Sequence, residues 1–379
     1  PKGFSCHDTH CVCHCDCTVD KNNQSHDQSN CECNCDCKVE QNNEGDDKCL
    51  WKSKKAREHK AEVRAWESQG GGNTFDLEGP DAWAVTMPPA PALGSDELTA
   101  EMAEVYAQAL LRDVPFTEIV KLPENFTVTY SNGEEKTVKV KGIVDSLNQL
   151  AWFNDKDFCG LSPAEKSRRR KVNPETGLLD GQTVFRGITP GDNIGPYISQ
   201  FLLVGNKGLG DVYDPKEGRI AYGSVTIDQR VRVAKEKDYM TTWDEWFDVQ
   251  NGADLRGVEK YYGKDEKKPE YRFITTPRDL ATYVHYDALY EAYLNACLIL
   301  LGDKVPFDPG IPFQGPDFRD HQQGFAHFGG PHILSLVTEV ATRALKAVRY
   351  QKFNVHRRLR PEALAARLSL HDKLCVQEL

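Results

Sequence analysis

The sequence predicts a mainly α-helical body with a few short β-hairpins, preceded by a disordered tail rich in cysteine. Two long segments, 276–302 and 329–350, repeat apolar residues at helical spacing. Strand-like runs are short, as in 126–140. Most of the chain's 13 cysteines lie in the first 50 residues. We therefore expect a tail over residues 1–50, a basic and glycine-containing linker over 51–73, and a helical body over 74–379.

Composition limits the classes of function. The chain has 379 residues, and its 39% of hydrophobic residues is enough for a large core outside the tail. A formal net charge of −10 argues against nucleic acid or an anionic membrane as the main partner, since both favour a basic surface. No uninterrupted apolar window is long enough to predict a transmembrane helix. The chain begins at Pro1 without a signal-like segment, so we expect a processed or incomplete N-terminus, and no compartment is indicated.

The tail contains a duplicated unit of 20 residues, in which cysteines alternate with other residues. The repeated cysteines are Cys11, Cys13, Cys15 and Cys17, and then Cys31, Cys33, Cys35 and Cys37. Cysteines two apart face the same way in an extended chain, but a bridge between them would close a strained ring. Thiolates suit a soft metal such as zinc or copper(I), with nearby histidines as further ligands. The alternative is a low-complexity tail without a specific site.

A basic run at 52–60 and three glycines at 70–72 follow the tail. Such a run can target nuclei or bind polyanions, but a solvated hinge between an acidic tail and a folded body is the commoner use. We predict a domain boundary near residue 73.

The first helix of the body is predicted to begin after Ser95, which can cap it, with acidic residues in its first turn. Its apolar stripe, predicted to be core, comprises Leu98, Met102, Val105, Ala109 and Leu110. A hairpin follows over 126–140. Its Asn132-Gly133 dipeptide predicts a type I′ turn.

A long helix is predicted from Pro277, which suits the first helical position, to Gly302. Tyrosines and aliphatic residues make it apolar over most of its circumference, which is typical of a central bundle helix. His285 and Asp287 could be catalytic by residue type, but we favour satisfied interior polar groups. A second long helix is predicted from 330 to 350, with one buried side. That side comprises Leu334, Leu336, Val337, Val340, Ala341, Ala344, Leu345 and Val348.

The segment after this helix, 352–362, holds four permanent cations and one histidine. If the helix continues, residues four apart share a face, so Lys352, His356 and Arg360 would project together. A tetrahedral oxyanion suits such a group, because lysine supplies a compact charge and arginine a planar fork of donors. The alternative is a solvated basic helix end that offsets the negative pole of the helix dipole.

The stretch 351–368, QKFNVHRRLRPEALAARL, resembles the first vanadate-binding motif of the vanadium-dependent haloperoxidases, in particular the algal bromoperoxidase branch. The resemblance continues through FRGITPGD at 185–192, GPYISQF at 195–201 and RDLATYVHYD at 278–287, and covers roughly residues 75–368. It implies an incomplete helical bundle of the haloperoxidase and acid phosphatase type. It also implies that Lys352 and Arg360 are catalytic residues that donate to vanadate.

The family activity is the oxidation of bromide by hydrogen peroxide, which brominates small organic acceptors, and family members form homo-oligomers. The family also has a later Pro-Ser-Gly-His segment, a second arginine and a histidine that bonds to vanadium, which this sequence does not contain. The resemblance thus implies a truncated chain that is inactive alone. Two alternatives remain: a phosphatase-like hydrolase of the same superfamily, and a non-catalytic protein with a metal-binding tail.

A loop rich in glycine and proline, 312–324, offers closely spaced oxygen ligands of the kind calcium prefers. It resembles the calcium loop of the red-algal bromoperoxidases. The resemblance implies that the ligands are the carbonyls of Phe313 and Gly315 and the side chains of Asp317, Asp320 and Gln322. The alternative is an ordinary acidic surface loop.

Overall fold

The computed structural model describes residues 80–130, 132–154, 163–169, 172–188, 192–193, 195–255, 257–265, 268–313 and 325–370. Its α-helices are α1 (Asp96–Leu110), α2 (Phe116–Ile119), α3 (Val140–Leu147), α4 (Pro163–Arg168), α5 (Trp243–Gln250), α6 (Pro277–Tyr286), α7 (Glu291–Gly302), α8 (Phe325–Phe328), α9 (Gly330–Tyr350) and α10 (Pro361–Ser369). Single 3₁₀ turns lie at Ala82–Ala84, Gln200–Leu202 and Pro215–Glu217. The prediction of a mainly helical body with few short strands is confirmed for this part of the chain.

The described strands are short and pair antiparallel in two-stranded sheets. They are β1 (Phe126–Thr129), β2 (Glu135–Val138), β3 (Arg219–Tyr222), β4 (Val225–Asp228), β5 (Val231–Arg232), β6 (Gly263–Asp265), β7 (Lys268–Pro269) and β8 (Tyr271–Arg272). The pairs are β1 with β2, β3 with β4, β5 with β8, and β6 with β7. Since none of these sheets is wide, packing of helices and loops forms the core.

The core is divided into clusters. One joins α1 and α3 to residues of 152–153 and 179–184, through Ala100, Ala107, Val144, Leu147, Trp152, Phe153, Leu179 and Val184. A neighbouring cluster under α2 and the hairpin contains Leu111, Val114, Ile119, Val138 and Val140. Another packs Ile220 of β3 against Leu298 and Ile299 of α7.

Helix α1 begins where the sequence predicted, but it buries a different face. The backbone N–H of Leu98 donates to Ser95 Oγ at 3.1 Å, which confirms the cap. The residues that α1 buries are Ala100, Glu104 and Ala107, whereas Val105 and Leu110 are 38% and 39% exposed. The predicted core stripe was therefore wrong at Val105, Ala109 and Leu110, because small alanines allow α3 to approach the opposite side of the helix.

The predicted hairpin is confirmed, with Phe126 opposite Val138 and Thr129 opposite Glu135. The predicted type I′ turn is wrong. That turn is a loop of two residues, but here the Gly133 N–H donates to the Tyr130 carbonyl at 2.9 Å, and Gly133 has a φ of 84°. The Tyr130 N–H donates to the Glu134 carbonyl at 2.8 Å. The hairpin thus closes through a longer loop, with glycine at the left-handed position.

The predicted single helix over 277–302 is two helices. Thr276 caps α6 through a capping box with Asp279, as the Thr-Pro start predicted, and α7 ends at Gly302. Between them Asp287 is extended and Tyr290 is left-handed at φ 56°, which ends the first helix. His285 and Asp287 are exposed, so their assignment as interior groups was wrong. His285 Nε2 lies 3.2 Å from Glu259 Oε1.

Helix α9 spans the predicted range, but its apolar side is only partly covered. Within the described residues it buries Ala341 and Ala347 alone. Leu336, Val340 and Val348 are 46%, 65% and 47% exposed, which corrects the prediction of one buried side. No helix in the described part of the chain is both long and apolar enough to span a bilayer.

Gly205 allows a close approach of two chain segments, and its replacement gives a testable prediction. A Cβ at this position would lie 2.0 Å from the carbonyl oxygen of Arg219 at the start of β3. We expect Gly205→Ala to lower the free energy of unfolding by about 2 kcal/mol, since backbone atoms must move. Gly142→Ala in α3 is the matched control, because its Cβ would make an ordinary contact of 3.6 Å with Lys139 Cβ. Urea unfolding should show Gly142→Ala unchanged or up to about 1 kcal/mol more stable than the unaltered chain. Equal stabilities of Gly205→Ala and Gly142→Ala would contradict the argument.

Candidate oxyanion site

The basic segment predicted to bind an anion forms a loop between α9 and α10. A π-helical turn, Gln351–His356, continues α9 and ends at Arg357, which has left-handed backbone angles (φ 48°, ψ 31°). Arg360 then precedes α10 with an extended backbone (φ −66°, ψ 153°). We call residues 351–360 the basic loop. The helix therefore does not continue to Arg360, and the prediction that Lys352, His356 and Arg360 share one helix face is wrong.

Lys352 and Arg360 lie on either side of the turn, and both are exposed. The Lys352 ammonium lies 5.0 Å from the centroid of the Phe353 ring, and no carboxylate of the described residues pairs with it. Arg360 Nε donates to Glu362 Oε1 at 2.5 Å, and its side chain is 71% exposed. Its two Nη groups make no hydrogen bond within the described part. Both side chains thus retain free N–H donors.

Three contacts hold the basic loop on the body. The buried side chain of Gln351 donates from Nε2 to the Val85 carbonyl at 3.0 Å. Arg358 Nη2 donates to Glu101 Oε2 of α1 at 2.7 Å. After the loop, Ala363 and Leu364 are each only 7% exposed. The sequence interpretation missed Gln351 and Arg358, because their partners lie more than 250 positions away along the chain.

The arrangement can bind a small oxyanion. The loop carries Lys352, Arg357, Arg358 and Arg360, and of these Arg358 and Arg360 have a carboxylate partner among the described residues. Ammonium and guanidinium donors suit the oxygens of a tetrahedral oxyanion such as vanadate or phosphate, so the donor set fits. By fold and by charge, the described region is a helical domain whose basic loop presents four cationic side chains.

Most of the other predicted ligands lie outside the described residues. These are Gly315, Asp317, Asp320 and Gln322 of the proposed calcium loop, and the eight repeated cysteines of the tail. Phe313 is described and has a left-handed φ of 67°. Within the described ranges, no group of three or more His, Cys, Asp or Glu side chains is placed to hold a metal ion.

Comparison with known proteins identifies relatives of this chain. It is 49% identical over 335 residues to the vanadium-dependent bromoperoxidases of Corallina officinalis and Corallina pilulifera, covering 85% of this chain and 52% of each relative. The vanadium-dependent bromoperoxidase of Ascophyllum nodosum is 31% identical over 311 residues, covering 79% of this chain and 45% of the relative. No family model matches the chain.

A solved structure supports the same relationship. The homohexameric second vanadate-dependent bromoperoxidase of Ascophyllum nodosum superposes with a TM-score of 0.57 at 25% identity, covering 82% of this chain and 43% of that one. The chain is a relative of the vanadium-dependent bromoperoxidases, as its motifs predicted. It spans about half the length of the curated relatives it matches.

Proposed function

We propose that the basic loop contributes to a vanadate site, and that the protein takes part in the oxidation of bromide by hydrogen peroxide to brominate small organic acceptors. The observation that carries this proposal is the exposed Lys352 ammonium, which has no carboxylate partner among the described residues and shares a loop with Arg360. The relationship to bromoperoxidases supports vanadate as the anion. Bound vanadate would supply the centre at which peroxide is taken up and bromide is oxidised.

The two side chains have different roles in this proposal. Arg360 holds the anion, because a guanidinium can present two parallel N–H groups to two oxygens. Lys352 places a compact positive charge beside the reacting oxygens and stabilises the negative charge that develops on them. Glu362 restrains Arg360 and competes with an incoming anion for it. Gln351 and the Arg358–Glu101 ion pair hold the loop against the body, so they act as positioning residues.

Vanadate binding tests the proposal without requiring turnover. Equilibrium dialysis or ⁵¹V NMR of the full chain should show Lys352→Ala and Arg360→Ala each weakening binding by about tenfold, the loss of one charge-assisted hydrogen bond. Glu362→Gln should strengthen binding by about threefold, since it removes the negative charge that competes with the anion for Arg360. Lys136→Ala, which removes an exposed lysine from β2, is the matched control and should bind as the unaltered chain does. Binding that is indifferent to Lys352 would contradict the proposal.

Activity adds a second test. Bromination of monochlorodimedone with peroxide and bromide is expected to require added vanadate and to be lost in Lys352→Ala. Hydrolysis of p-nitrophenyl phosphate without bromination would instead support the phosphatase-like alternative. The bromination and hydrolysis assays distinguish the two reactions, whereas the vanadate-binding measurements test only whether the anion binds.

Further predictions go with this function. We propose that residues 74–379 fold as a haloperoxidase-type helical bundle that follows a separate tail and linker in the sequence. We also propose that the chain forms homo-oligomers and that the 313–322 loop binds calcium. The exposed apolar side of α9 supports association with another surface, because contiguous exposed apolar patches mark interfaces. Zinc or copper binding by the tail stays a prediction from cysteine composition.

A further inference from the structure

A cleft between α1 and α6 lies apart from the basic loop. It has a volume of about 860 Å³, within the range of small-molecule sites. The basic loop contacts α1 at Glu101, whereas the cleft begins at Gln108 and Ala109. At 1.5 Å of rise per residue, Glu101 lies about 10 Å along α1 from Gln108. We call this space the α1–α6 cleft.

One side of the α1–α6 cleft is aromatic. Phe116, Phe185 and Tyr197 line it, and the rings of Phe116 and Tyr197 lie 5.6 Å apart between centroids. Arg186, only 5% exposed, places its guanidinium 4.1 Å from the centroid of the Tyr197 ring and so fixes that ring. On the opposite side Val284 is 60% exposed. A flat aromatic ligand could therefore pack between aromatic and aliphatic surfaces.

The other feature of the cleft is its charge. Its ionisable lining side chains are Arg112, Arg278, His285 and Tyr197, with no carboxylate among them. Asp113 and Asp238 pair with the two arginines but do not line the cleft. The Arg112 side chain is 25% exposed, and its Nη1 and Nη2 groups donate to the Ala109 carbonyl and to Asp238. Each of these groups has two N–H bonds, so each keeps one for a ligand oxygen. A carboxylate suits this guanidinium, because its two oxygens can accept two parallel N–H bonds.

Backbone hydrogen bonds fix the two sides of the cleft relative to each other. The N–H of Arg278 donates to the Arg112 carbonyl at 2.8 Å, and the N–H of Phe116 donates to the Thr275 carbonyl at 3.0 Å. These bonds join the end of α1 and the start of α2 to the start of α6. A cleft formed by secondary structure fixed in this way needs little rearrangement to bind a ligand.

We propose that the α1–α6 cleft binds a small aromatic carboxylate, with its ring against Phe116 and Tyr197 and its carboxylate towards Arg112 and Arg278. This site is independent of the vanadate proposal, because none of its residues belongs to the basic loop. The two sites can therefore be tested separately in the same protein.

Calorimetric titration of the full chain with 2-naphthoate tests this proposal. We expect one saturable site, and binding at least about tenfold tighter than that of the neutral 2-naphthylmethanol, a difference of one charge-assisted hydrogen bond. Ala281→Trp and Ala109→Trp fill the cleft from α6 and α1, and each should weaken naphthoate binding by about tenfold or more. Ala344→Trp, on the exposed side of α9, is the matched control and should bind as the unaltered chain does.

The proposal would be overturned by no binding of 2-naphthoate, by equal or tighter binding of the neutral alcohol, or by unchanged binding in both cleft-filling variants. Loss of binding in Ala344→Trp would place the probe on α9 and would also overturn it. The replaced alanines are exposed, so thermal unfolding should show all three variants folded, and Ala109→Trp and Ala281→Trp serve as independent checks on each other.

Discussion

Replacement of Asp279 by alanine is expected to lower the free energy of unfolding by about 3 kcal/mol. This is the sum of a lost helix cap, about 1 kcal/mol, and lost hydrogen bonds to a buried carboxylate, about 2 kcal/mol. The ion pair itself adds little, because the Arg272 side chain is 43% exposed and stays solvated. Asp279 is 1% exposed at the start of α6. Its carboxylate accepts from Arg272 Nη2 at 2.8 Å and from the backbone N–H groups of Thr275 and Thr276 at 3.0 and 3.2 Å. Removing it leaves the buried N–H of Thr276 and the part-buried N–H of Thr275 without this acceptor, and it also removes half of a capping box.

A matched pair of variants measures this effect. Asp287→Ala removes an exposed carboxylate from the other end of α6 and should change stability by no more than about 0.5 kcal/mol. Urea unfolding followed by circular dichroism gives both values, with the slope of the transition as a check that the unfolding reaction is unchanged. If Asp279→Ala is as stable as Asp287→Ala, the buried hydrogen bonds contribute little and the account of this helix start is wrong.

Helix starts were the most predictable features, because their signals lie within a few residues of one another. Ser95, the Thr276-Pro277 pair and the glycines before Pro331 each mark a helix where the structure has one. A cap depends on a side chain and a backbone N–H two or three positions away. The hairpin at 126–138 was predictable for the same reason, although its turn type was not.

Helix interruptions were not predictable from spacing. The apolar pattern runs without a break from 277 to 302, yet the chain turns at Tyr290, and the N–H of Ala288 donates to the Glu291 side chain at 2.7 Å. The basic loop is similar, since Arg357 takes a left-handed conformation while Arg358 reaches Glu101 on α1. A contact made across the fold decides where such a helix ends, and periodicity carries no information about that contact.

Periodicity also says which residues are apolar but not what covers them. The stripe on α9 was predicted to be core, yet Val340 is 65% exposed. On α1 the face that packs on α3 is lined by Ala100 and Ala107, which are less hydrophobic than the exposed Val105. Close approach of two helices favours small residues as much as large apolar ones. The candidate site was predictable as a group of cations, whereas the loop that presents them was not.

Asp113 should give the protein a stability that depends on pH in the acid range. It accepts from Arg278 Nη2 at 2.9 Å and from the Tyr130 hydroxyl at 3.2 Å, with a side chain 13% exposed. Burial alone would raise the pKa of Asp113, but the hydrogen bonds and charge of Arg278, together with Arg112 and Tyr130, outweigh burial and hold it below the usual value. Burial and the Asp113 charge also raise the pKa of Tyr130 to about 12.

The direction in which stability changes with pH follows from how many protons Asp113 binds in the folded and unfolded states. With its folded pKa depressed, Asp113 binds fewer protons in the folded state than in the unfolded state, so its contribution is present above the unfolded pKa of about 3.9. It is lost as the pH falls from about 5 through 3.9 towards the folded pKa. Asp113→Asn should therefore cost about 3 kcal/mol at pH 7, where Arg278 loses its buried partner, and progressively less at pH 4 and pH 3.

Urea unfolding of both proteins at pH 7, 5, 4 and 3 measures this convergence. Asp238→Asn is the control, because this carboxylate pairs with Arg112 at the surface with 49% of its side chain exposed, and such pairs contribute at most about 1 kcal/mol. Parallel stability curves for Asp113→Asn and the unaltered chain would contradict the argument, since they would mean that the carboxylate titrates alike in both states. Arg278 and Arg112 also line the α1–α6 cleft. A converging curve would therefore indicate that acid weakens the ion pairs that position the cleft's two guanidinium groups.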